Sequence, residues 1–491
     1  MSENLPVLQV VVPLLLAPIA ALVRRPLLSW LVAMAAAIWA FGASLGLLSR
    51  VLAEGTISYH LGAWAPPWGI EYRVDALNAF VLVIVSAIAA VVMPYAKSSV
   101  EREVASDRVS LFYTALILCM TGLLGIAITG DVFNVFVFLE ISSLSAYALI
   151  ALGPDRRALT SSYQYLIMGS VGATFIVIGI GLMYSMTGTL NMADLAQRLP
   201  LVAGTRTIPV AFAFLAVGIS LKLALFPLHL WLPNAYAYAP SAVTAFIAST
   251  ATKVAVYLLL RFFFTIFGPA FSFDVMQLDR ILMPLALVAI VTMSISAIYQ
   301  VNVKRLLAYS SVAQIGYMVL GISLVSVFGL AAGILHLFNH ALIKGSLFMA
   351  MGCVMYSVGS VRLDDMAGLG KSMPFTMAAF VLGGLSLIGV PLTVGFISKW
   401  YLVQAALEQG LWPVAVLVLM GSLLAVVYVW KVVEVAYFRT PPEGRTVGEA
   451  PLSLLIPTWV LVLANLYFGI DAKLTAGVAI EAARMLLGVA S

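Results

Sequence analysis

The stretch SLKLALFPLHLWLPNAYAYAPSAVTAF, residues 220–246, decides the fold because it is apolar and yet cannot form a single helix. Pro227, Pro233 and Pro240 interrupt it. Proline removes a backbone donor and clashes with the preceding turn, so a continuous helix does not fit these residues. Broken backbone is tolerated at membrane depth only where protein or a water-filled cavity covers it. The stretch therefore predicts a broken membrane span that other helices enclose.

The composition of the whole chain predicts a polytopic membrane protein. Of its 491 residues, 63% are hydrophobic and 10% are charged, and the mean hydropathy is +1.08. A soluble domain carries about 25% charged residues. The segment before Arg24 has neither a basic start nor a small-residue cleavage site, so it predicts a retained first span and not a signal peptide.

Apolar runs of membrane-spanning length predict an all-α fold of about 14 transmembrane helices. We expect the spans at 5–23, 27–49, 75–95, 109–129, 131–152, 161–187, 208–226, 241–262, 280–300, 306–328, 330–357, 375–405, 411–438 and 451–470. An even number of spans places both termini on the same side of the membrane.

The distribution of lysine and arginine predicts the orientation. Loops after odd-numbered spans carry 13 of these residues, among them Lys304 and Arg445. Loops after even-numbered spans, together with the tails, carry 8, among them Arg261. Because positive charge accumulates in cytoplasmic loops, the first group is expected in the cytoplasm. Both termini are then expected on the outer side of the cell membrane.

A second interruption, LIGVPLTVGFISKWYL at residues 387–402, corresponds to the first. Pro391 and Gly395 fall within it. Interrupted spans at matching places in two halves are typical of transporters built from repeats, and they mark the ion path. We therefore expect two inverted five-helix repeats, spans 4–8 and spans 9–13, in which spans 7 and 12 are broken.

Ionisable side chains inside the predicted spans are candidates for function. A lysine at the centre of a lone span costs about 2.5–3.5 kcal/mol, so such residues usually face a cavity and pair with another polar group. Glu140 stands alone near the middle of span 5, Lys222 and Lys399 each lie close to a break, and Lys253 lies deep in span 8. We expect Glu140 to be buried within salt-bridge reach of Lys222.

The stretch HLFNHALIKG places His336, His340 and Lys344 four residues apart on one helix stripe. Two histidines with this spacing can share a metal ion, but no cysteine or carboxylate lies nearby to complete a site. Histidine relays protons near neutral pH, and a desolvated lysine can titrate in the same range. The stripe thus predicts a proton relay. His229, in the first break, could cap freed carbonyls or extend the same path.

Other features of the sequence predict no chemistry. Cys119 and Cys353 lie in apolar runs and indicate neither a disulfide nor a metal site. GLGKS, 368–372, lacks the first glycine and the preceding strand of a phosphate-binding loop. We expect no nucleotide, flavin, haem or iron–sulfur cofactor, no metal and no nucleic-acid partner. Lys431 and Glu434, three residues apart in span 13, are expected to form a local ion pair.

Four stretches of the chain resemble one known family. GDVFNVFVFLE (130–140), LKLALFPLHLWLPNAYAYAPSAVTAFIASTATK (221–253), NVKRLLAYSSVAQIGY (302–317) and HLFNHALIKGSLFM (336–349) look like the antiporter-like subunits shared by respiratory complex I and Mrp-type cation/proton antiporters. The resemblance covers roughly residues 105–440. It is strongest to the D subunit of the Mrp antiporters, because Lys399 stands where the complex I subunit of similar length would show a carboxylate.

The resemblance implies 14 spans, inverted repeats and a proton path along the middle plane of the membrane. It implies that Glu140 is the ion-pair carboxylate, Lys222 its partner on the broken helix and Lys253 the bridging lysine. It also implies that the stripe from His336 to Lys344 is the central relay and that Lys399 is the exit-side charge. Span 10 has no acid that matches Glu140, so the two halves are expected to be chemically unequal.

Two functions are consistent with these features. The first is a proton-translocating subunit of a hetero-oligomeric antiporter complex that exchanges Na⁺ or another monovalent cation for protons. The second is a proton-pumping subunit of an NADH:quinone oxidoreductase or a related membrane hydrogenase, driven by redox chemistry in other subunits. A non-conducting scaffold is disfavoured by the number of lysines within spans. In neither case is the chain itself expected to be an enzyme.

The expected organisation has four parts, which are an N-terminal three-helix segment (1–104), a first repeat (105–264), a second repeat (265–440) and a C-terminal helix and tail (441–491).

The charge asymmetry gives a topology that labelling can test. Single cysteines placed in 153–160 or 358–374 should react with an impermeant thiol reagent only from the cytoplasmic face, because these loops belong to the more basic group. Reaction from the outer face would overturn the orientation.

Overall fold

The computed structural model describes residues 3–441 and 447–489, which are almost entirely helical. Arg445, one of the basic residues expected in the cytoplasm, lies outside the described residues. The α-helices are α1 (Leu5–Leu22), α2 (Pro26–Glu54), α3 (Ala76–Glu103), α4 (Val109–Ile128), α5 (Val132–Ala151), α6 (Arg157–Thr187), α7 (Met192–Val202), α8 (Thr207–Leu223), α9 (Leu232–Tyr238), α10 (Ser241–Leu260), α11 (Leu278–Ile298), α12 (Val303–Ser323), α13 (Val327–Val358), α14 (Leu369–Ser372), α15 (Pro374–Ile388), α16 (Val394–Glu408), α17 (Trp412–Phe438), α18 (Leu452–Ile470) and α19 (Lys473–Leu487).

The predicted spans coincide with these helices, and the chain is an all-α, multi-pass membrane protein. In the described part of the chain, 12 helices are long and apolar enough to cross a membrane. Predicted span 12 is divided into α15 and α16, and predicted span 7 corresponds to the short α8, which the break and α9 follow. The total of 14 spans stays a prediction, since the divided ones do not reach spanning length as single helices.

Both expected breaks are present, and each is held by a side chain. Ala224 ends α8 with φ +59° and Gly389 ends α15 with φ +91°. The Trp231 indole N–H donates to the carbonyl of Leu221, 3.0 Å away, and so satisfies the end of α8. A Cβ on Gly389 would lie 3.0 Å from Cδ of Lys399. Glycine is needed there for its left-handed backbone and for the close approach of the lysine.

The loops that precede α5 and α12 are built alike. Asp131 and Asn302 each cap their helix by accepting a hydrogen bond from the backbone N–H three residues later, at 2.7 and 3.0 Å. Asp131 also forms an isolated β-bridge with Asn191, beyond α6, and Asn302 forms one with Arg362, beyond α13. This correspondence supports the two repeats. The expected boundary at 264–265 falls inside a π-helical segment, Arg261–Ile266, and stays a prediction.

Two elements differ from expectation. A hairpin of β1 (Ile57–His60) and β2 (Glu71–Val74) lies between α2 and α3. The C-terminal segment, expected to be a tail, continues as α19. Its sequence is amphipathic and therefore too polar to predict a span. Its apolar face packs against α13 and α3, which explains why it folds.

Both chain ends lie on one side of the bundle. The Tyr59 hydroxyl of β1 donates to the Asn4 side chain, 3.2 Å away, just before α1. Thr56, beside the hairpin, and Arg484 of α19 line the same surface cavity. We call this the terminal side. The loop that joins α3 to α4, the start of α10 and the start of α12 lie on the opposite side.

Candidate proton-relay site

Glu140 of α5 and Lys222 of α8 meet at the first break. Lys222 Nζ lies 3.8 Å from Glu140 Oε1 and donates a hydrogen bond to Ser143 Oγ at 2.9 Å. At 3.8 Å the pair interacts electrostatically but is not hydrogen-bonded. The Lys222 side chain is 6% exposed and that of Glu140 is 28% exposed. The expected pairing is present, but Glu140 is only partly buried.

Lys253, on α10, is completely buried. Its ammonium group donates to the carbonyl of Ala248, one turn earlier on the same helix. α10 packs against α13, and a Cβ on Gly345 would lie 3.2 Å from Ser249 Oγ. Because the two helices run in opposite directions, Lys253, one turn beyond Ser249, is level with His340.

The stripe on α13 is completely buried. His336 and His340 have parallel rings with centroids 5.9 Å apart. Lys344 Nζ donates to the carbonyl of Leu307, 2.8 Å away on α12, and to the Ser310 hydroxyl. Within the described residues neither ring nitrogen of His340 has a hydrogen-bond partner, so no fixed contact prevents it from accepting or donating a proton. In the same residues no group of three or more His, Cys, Asp or Glu is placed to hold a metal ion.

His336 connects the stripe to Lys399. Its Nε2 lies 2.9 Å from Gln314 Oε1, and its Nδ1 lies 2.7 Å from the hydroxyl of Ser398. Because an amide oxygen can only accept, Nε2 carries the proton and Nδ1 accepts from the serine. Lys399 lies 4.9 Å from the centre of the Tyr317 ring, which is itself 5.9 Å from the His336 ring. Tyr317 therefore lies between the histidine and the lysine, and Ser398 precedes Lys399 on α16.

Lys399 also closes the second break. Its Nζ donates to the carbonyls of Leu387 (3.0 Å) and Ile388 (2.8 Å), at the end of α15, and to Ser422 Oγ (3.0 Å). A helix end leaves carbonyls without partners, and a lysine satisfies them while complementing the helix dipole. Lys399 thus combines a capping role with a position at the end of the buried cluster.

The seven predicted residues form two groups. Lys253, His336, His340, Lys344 and Lys399 lie along one continuous interior region, whereas Glu140 and Lys222 form a separate pair. No hydrogen bond between described residues joins the pair to Lys253, although α8 packs against α10. His229 is buried, with its ring against Phe226, and both roles considered for it stay open.

Sequence reasoning missed three buried charges. Arg261, counted as a loop residue, is buried and pairs with Asp75 at 2.5 Å. Lys304, also counted as a loop residue, is buried and donates to Ser241 Oγ at 2.9 Å. The capping box that Asp75 forms with Asn78 at the start of α3 was visible in the sequence. The partners were not visible, because they come from distant helices.

The expected ion pair between Lys431 and Glu434 is wrong. Glu434 pairs with Arg439 at 3.2 Å. Lys431 Nζ donates to the carbonyls of Ile298 (2.8 Å) and Gln300 (3.2 Å), where α11 ends. Free carbonyls at a helix end attract the lysine more strongly than a partly exposed carboxylate does.

Comparison with known proteins agrees with this architecture. The sequence profile of the family described as NADH:quinone oxidoreductase/Mrp antiporter, transmembrane, matches residues 129–425, which include all seven predicted residues. The chain is 42% identical to the N subunit of the NADH-quinone oxidoreductase of Desulforudis audaxviator over 492 residues, 96% of each chain. It is 30% identical to the D subunit of the Na⁺/H⁺ antiporter of Bacillus subtilis over 446 residues, 90% of this chain and 88% of the relative.

A solved structure shows the same fold. A chain of the Mrp complex from Dietzia sp. DQ12-45-1b superposes with a TM-score of 0.90 and 26% identity, covering 99% of this chain and 97% of that one. The family profile covers more than half of the chain, and the relatives span nearly its full length. The chain therefore belongs to the NADH:quinone oxidoreductase/Mrp antiporter family of membrane proteins.

Proposed function

We propose that the chain is a proton-translocating subunit of a hetero-oligomeric complex in the plasma membrane, with its terminal side facing outward. The observation that carries this proposal is the continuous buried cluster from Lys344 through Lys253, His340 and His336 to Lys399. Buried lysines and histidines without carboxylate partners are costly in a membrane protein. A proton-translocating subunit needs such groups because they exchange protons, whereas a scaffold subunit has no use for them.

Proton movement along the cluster follows from repulsion between like charges. Lys253 of α10 is level with His340 of α13, one turn from Lys344, and Tyr317 lies between Lys399 and the His336 ring. Neighbouring cationic groups disfavour each other's protonated forms. A proton that enters at one end therefore favours release at the other, and it passes from His336 to Lys399 across the space beside Tyr317.

The pair of Glu140 and Lys222 acts as the gate. Two unit charges about 4 Å apart attract by about 4 kcal/mol at an effective dielectric constant of about 20. The desolvation penalty of a buried ion is also several kcal/mol, so the closed and open forms are nearly balanced. With the pair closed, the carboxylate stabilises Lys222 as a cation. When the pair opens, Lys222 releases its proton toward Lys253.

The assembly we propose is a monovalent cation/proton antiporter complex. The superposition on a chain of the Mrp complex supports it. A second candidate is a proton-pumping subunit of an NADH:quinone oxidoreductase or a related complex. The 42% identity to the N subunit of such an oxidoreductase supports this alternative. The same buried cluster would conduct protons in either complex.

The composition of the native complex distinguishes the two assemblies. Affinity-tagged chain, purified in mild detergent from its own organism, should carry other antiporter subunits and no iron–sulfur protein, because an antiporter needs no redox centre. Co-purification of quinone-binding and iron–sulfur subunits would select the second candidate.

Glu140→Gln should abolish exchange while the complex still assembles. The amide removes the charge that holds Lys222 as a cation, and Lys222 can lose its proton without harming the fold. Glu140→Asp should keep partial activity, since the charge survives on a shorter arm. The measurement is cation-induced dissipation of a pH gradient in inverted membrane vesicles, with assembly checked on native gels.

Glu434→Gln is the matched control, because Glu434 is a partly exposed carboxylate paired with Arg439 outside the cluster. It should exchange at the wild-type rate. Wild-type exchange by Glu140→Gln would exclude the gating role.

Lys399→Ala and Lys399→Arg should both abolish exchange in the same assay. Arginine keeps the positive charge but does not release a proton at working pH. Lys431→Arg is the matched control, since Lys431 also caps the end of a helix but lies outside the cluster. An active Lys399→Arg variant would show that Lys399 supplies only charge and capping.

A further inference from the structure

A chain of polar contacts lies on the side opposite the termini, outside the seven predicted residues. Lys304 Nζ of α12 donates to Ser241 Oγ at 2.9 Å. The N–H and the hydroxyl of Ser241, at the start of α10, donate to Glu103 Oε2 at 3.0 and 3.1 Å. Ser99 donates to the other carboxylate oxygen at 2.8 Å. Helices α3, α10 and α12 thus meet through the Glu103 carboxylate, the Ser241 hydroxyl and the Lys304 ammonium group.

The burial of these groups is graded. Glu103 is partly exposed, Ser241 is completely buried and Lys304 is 2% exposed. In the described residues no carboxylate forms a direct ion pair with Lys304. A direct contact would stabilise the buried cation better than a carboxylate reached through a hydroxyl. A structural ion pair therefore explains the arrangement poorly. A chain of proton transfers explains it better, because the three groups follow one another from the solvent-exposed side to the interior.

These three groups lead toward Lys344. The carbonyl of Leu307, which accepts from Lys344 Nζ, lies one turn of α12 beyond Lys304. Ser310, the other partner of Lys344, lies about 9 Å beyond Lys304 along the helix axis. Lys304 is thus a buried cation on α12, about one turn before the contact that Lys344 makes with this helix.

We propose that Glu103, Ser241 and Lys304 form the entry relay that carries protons from the aqueous phase opposite the termini to Lys344. This inference rests on the proposed function and extends it to the mouth of the path. A protonated Glu103 gives its proton to the Ser241 oxygen while Ser241 gives its own hydroxyl proton to the neutral amine of Lys304. The Lys304 ammonium then gives a proton to a water molecule between the two lysines, and that water gives one of its protons to the neutral amine of Lys344, because no direct contact between described residues joins the two side chains. One proton has moved inward, and Glu103 regains its proton from water.

The competing explanation is a purely structural one. Lys304 Nζ also lies 3.4 Å from the carbonyl of Ala239, at the end of α9, and Glu103 accepts from the first N–H of α10. Both contacts are helix caps. Substitutions that preserve capping and charge but stop proton release therefore separate the two explanations.

The test uses three variants in the full complex, assayed in inverted vesicles with assembly measured in parallel. Glu103→Gln keeps an oxygen that accepts from Ser241 but cannot carry a proton. Ser241→Ala removes the hydroxyl and keeps the backbone cap. Lys304→Arg keeps the cation and its donors but does not release a proton. We expect each to reduce exchange at least tenfold with assembly unchanged, because each interrupts one transfer.

Lys431→Arg is again the matched control, since it alters a capping lysine outside the relay, and it should keep wild-type exchange. Assembled complexes of Glu103→Gln and Ser241→Ala that exchange at the wild-type rate would overturn the relay. These two variants decide the outcome even if arginine does not fit at position 304. If Lys399→Ala and Glu140→Gln abolish exchange in that same preparation, the proposed function stands and only the entry relay is wrong. Wild-type exchange by Lys399→Ala would mean that the proposed function itself has failed.

Discussion

The cost of placing a lysine inside a membrane protein governs the interior of this molecule. Lys222, Lys253, Lys344 and Lys399 are each buried, and each donates its hydrogen bonds to carbonyl or hydroxyl oxygens, although Lys222 also lies 3.8 Å from the Glu140 carboxylate. Serine hydroxyls, carbonyls within neighbouring turns and, for Lys399, the free carbonyls at the end of α15 provide these acceptors. The break between α15 and α16 is therefore more than an interruption. It exposes the backbone oxygens of Leu387 and Ile388 that accept from Lys399.

This mode of solvation also suits the proton exchange that we propose for these groups. A carbonyl or a hydroxyl accepts a hydrogen bond from an ammonium group without fixing its charge as firmly as a carboxylate does. Glu140 is the exception, and it stays 3.8 Å from Lys222, beyond hydrogen-bond distance. The proposed gate depends on this spacing, because attraction and desolvation oppose each other at that distance. A tighter pair would hold the cation more firmly and would suit the proposed gate less well.

The two halves share a backbone plan but differ in chemistry. Asp131 and Asn302 cap equivalent helices and form equivalent bridges, yet the position nine residues later is Glu140 in one half and Ser311 in the other. Only the first half therefore places a carboxylate beside its broken helix. The titratable stripe, in contrast, lies on α13 in the second half. In the proposed function, this division would give the proton path different chemistry at its two ends.

Much of this could be read from the sequence because the membrane imposes strong local rules. Hydropathy located the helices, the prolines located the breaks, and the isolated ionisable residues within spans identified Glu140, Lys222, Lys253, the α13 stripe and Lys399. The hairpin and α19 were missed, because short strands and amphipathic helices lack the apolar length of a span. What only the tertiary structure decided was the partner of each charge. Arg261 pairs with Asp75, Lys431 caps α11, and Lys304 reaches Glu103 through Ser241. These contacts could not be read from the sequence, because each joins helices that are far apart in the chain and meet only when the bundle packs.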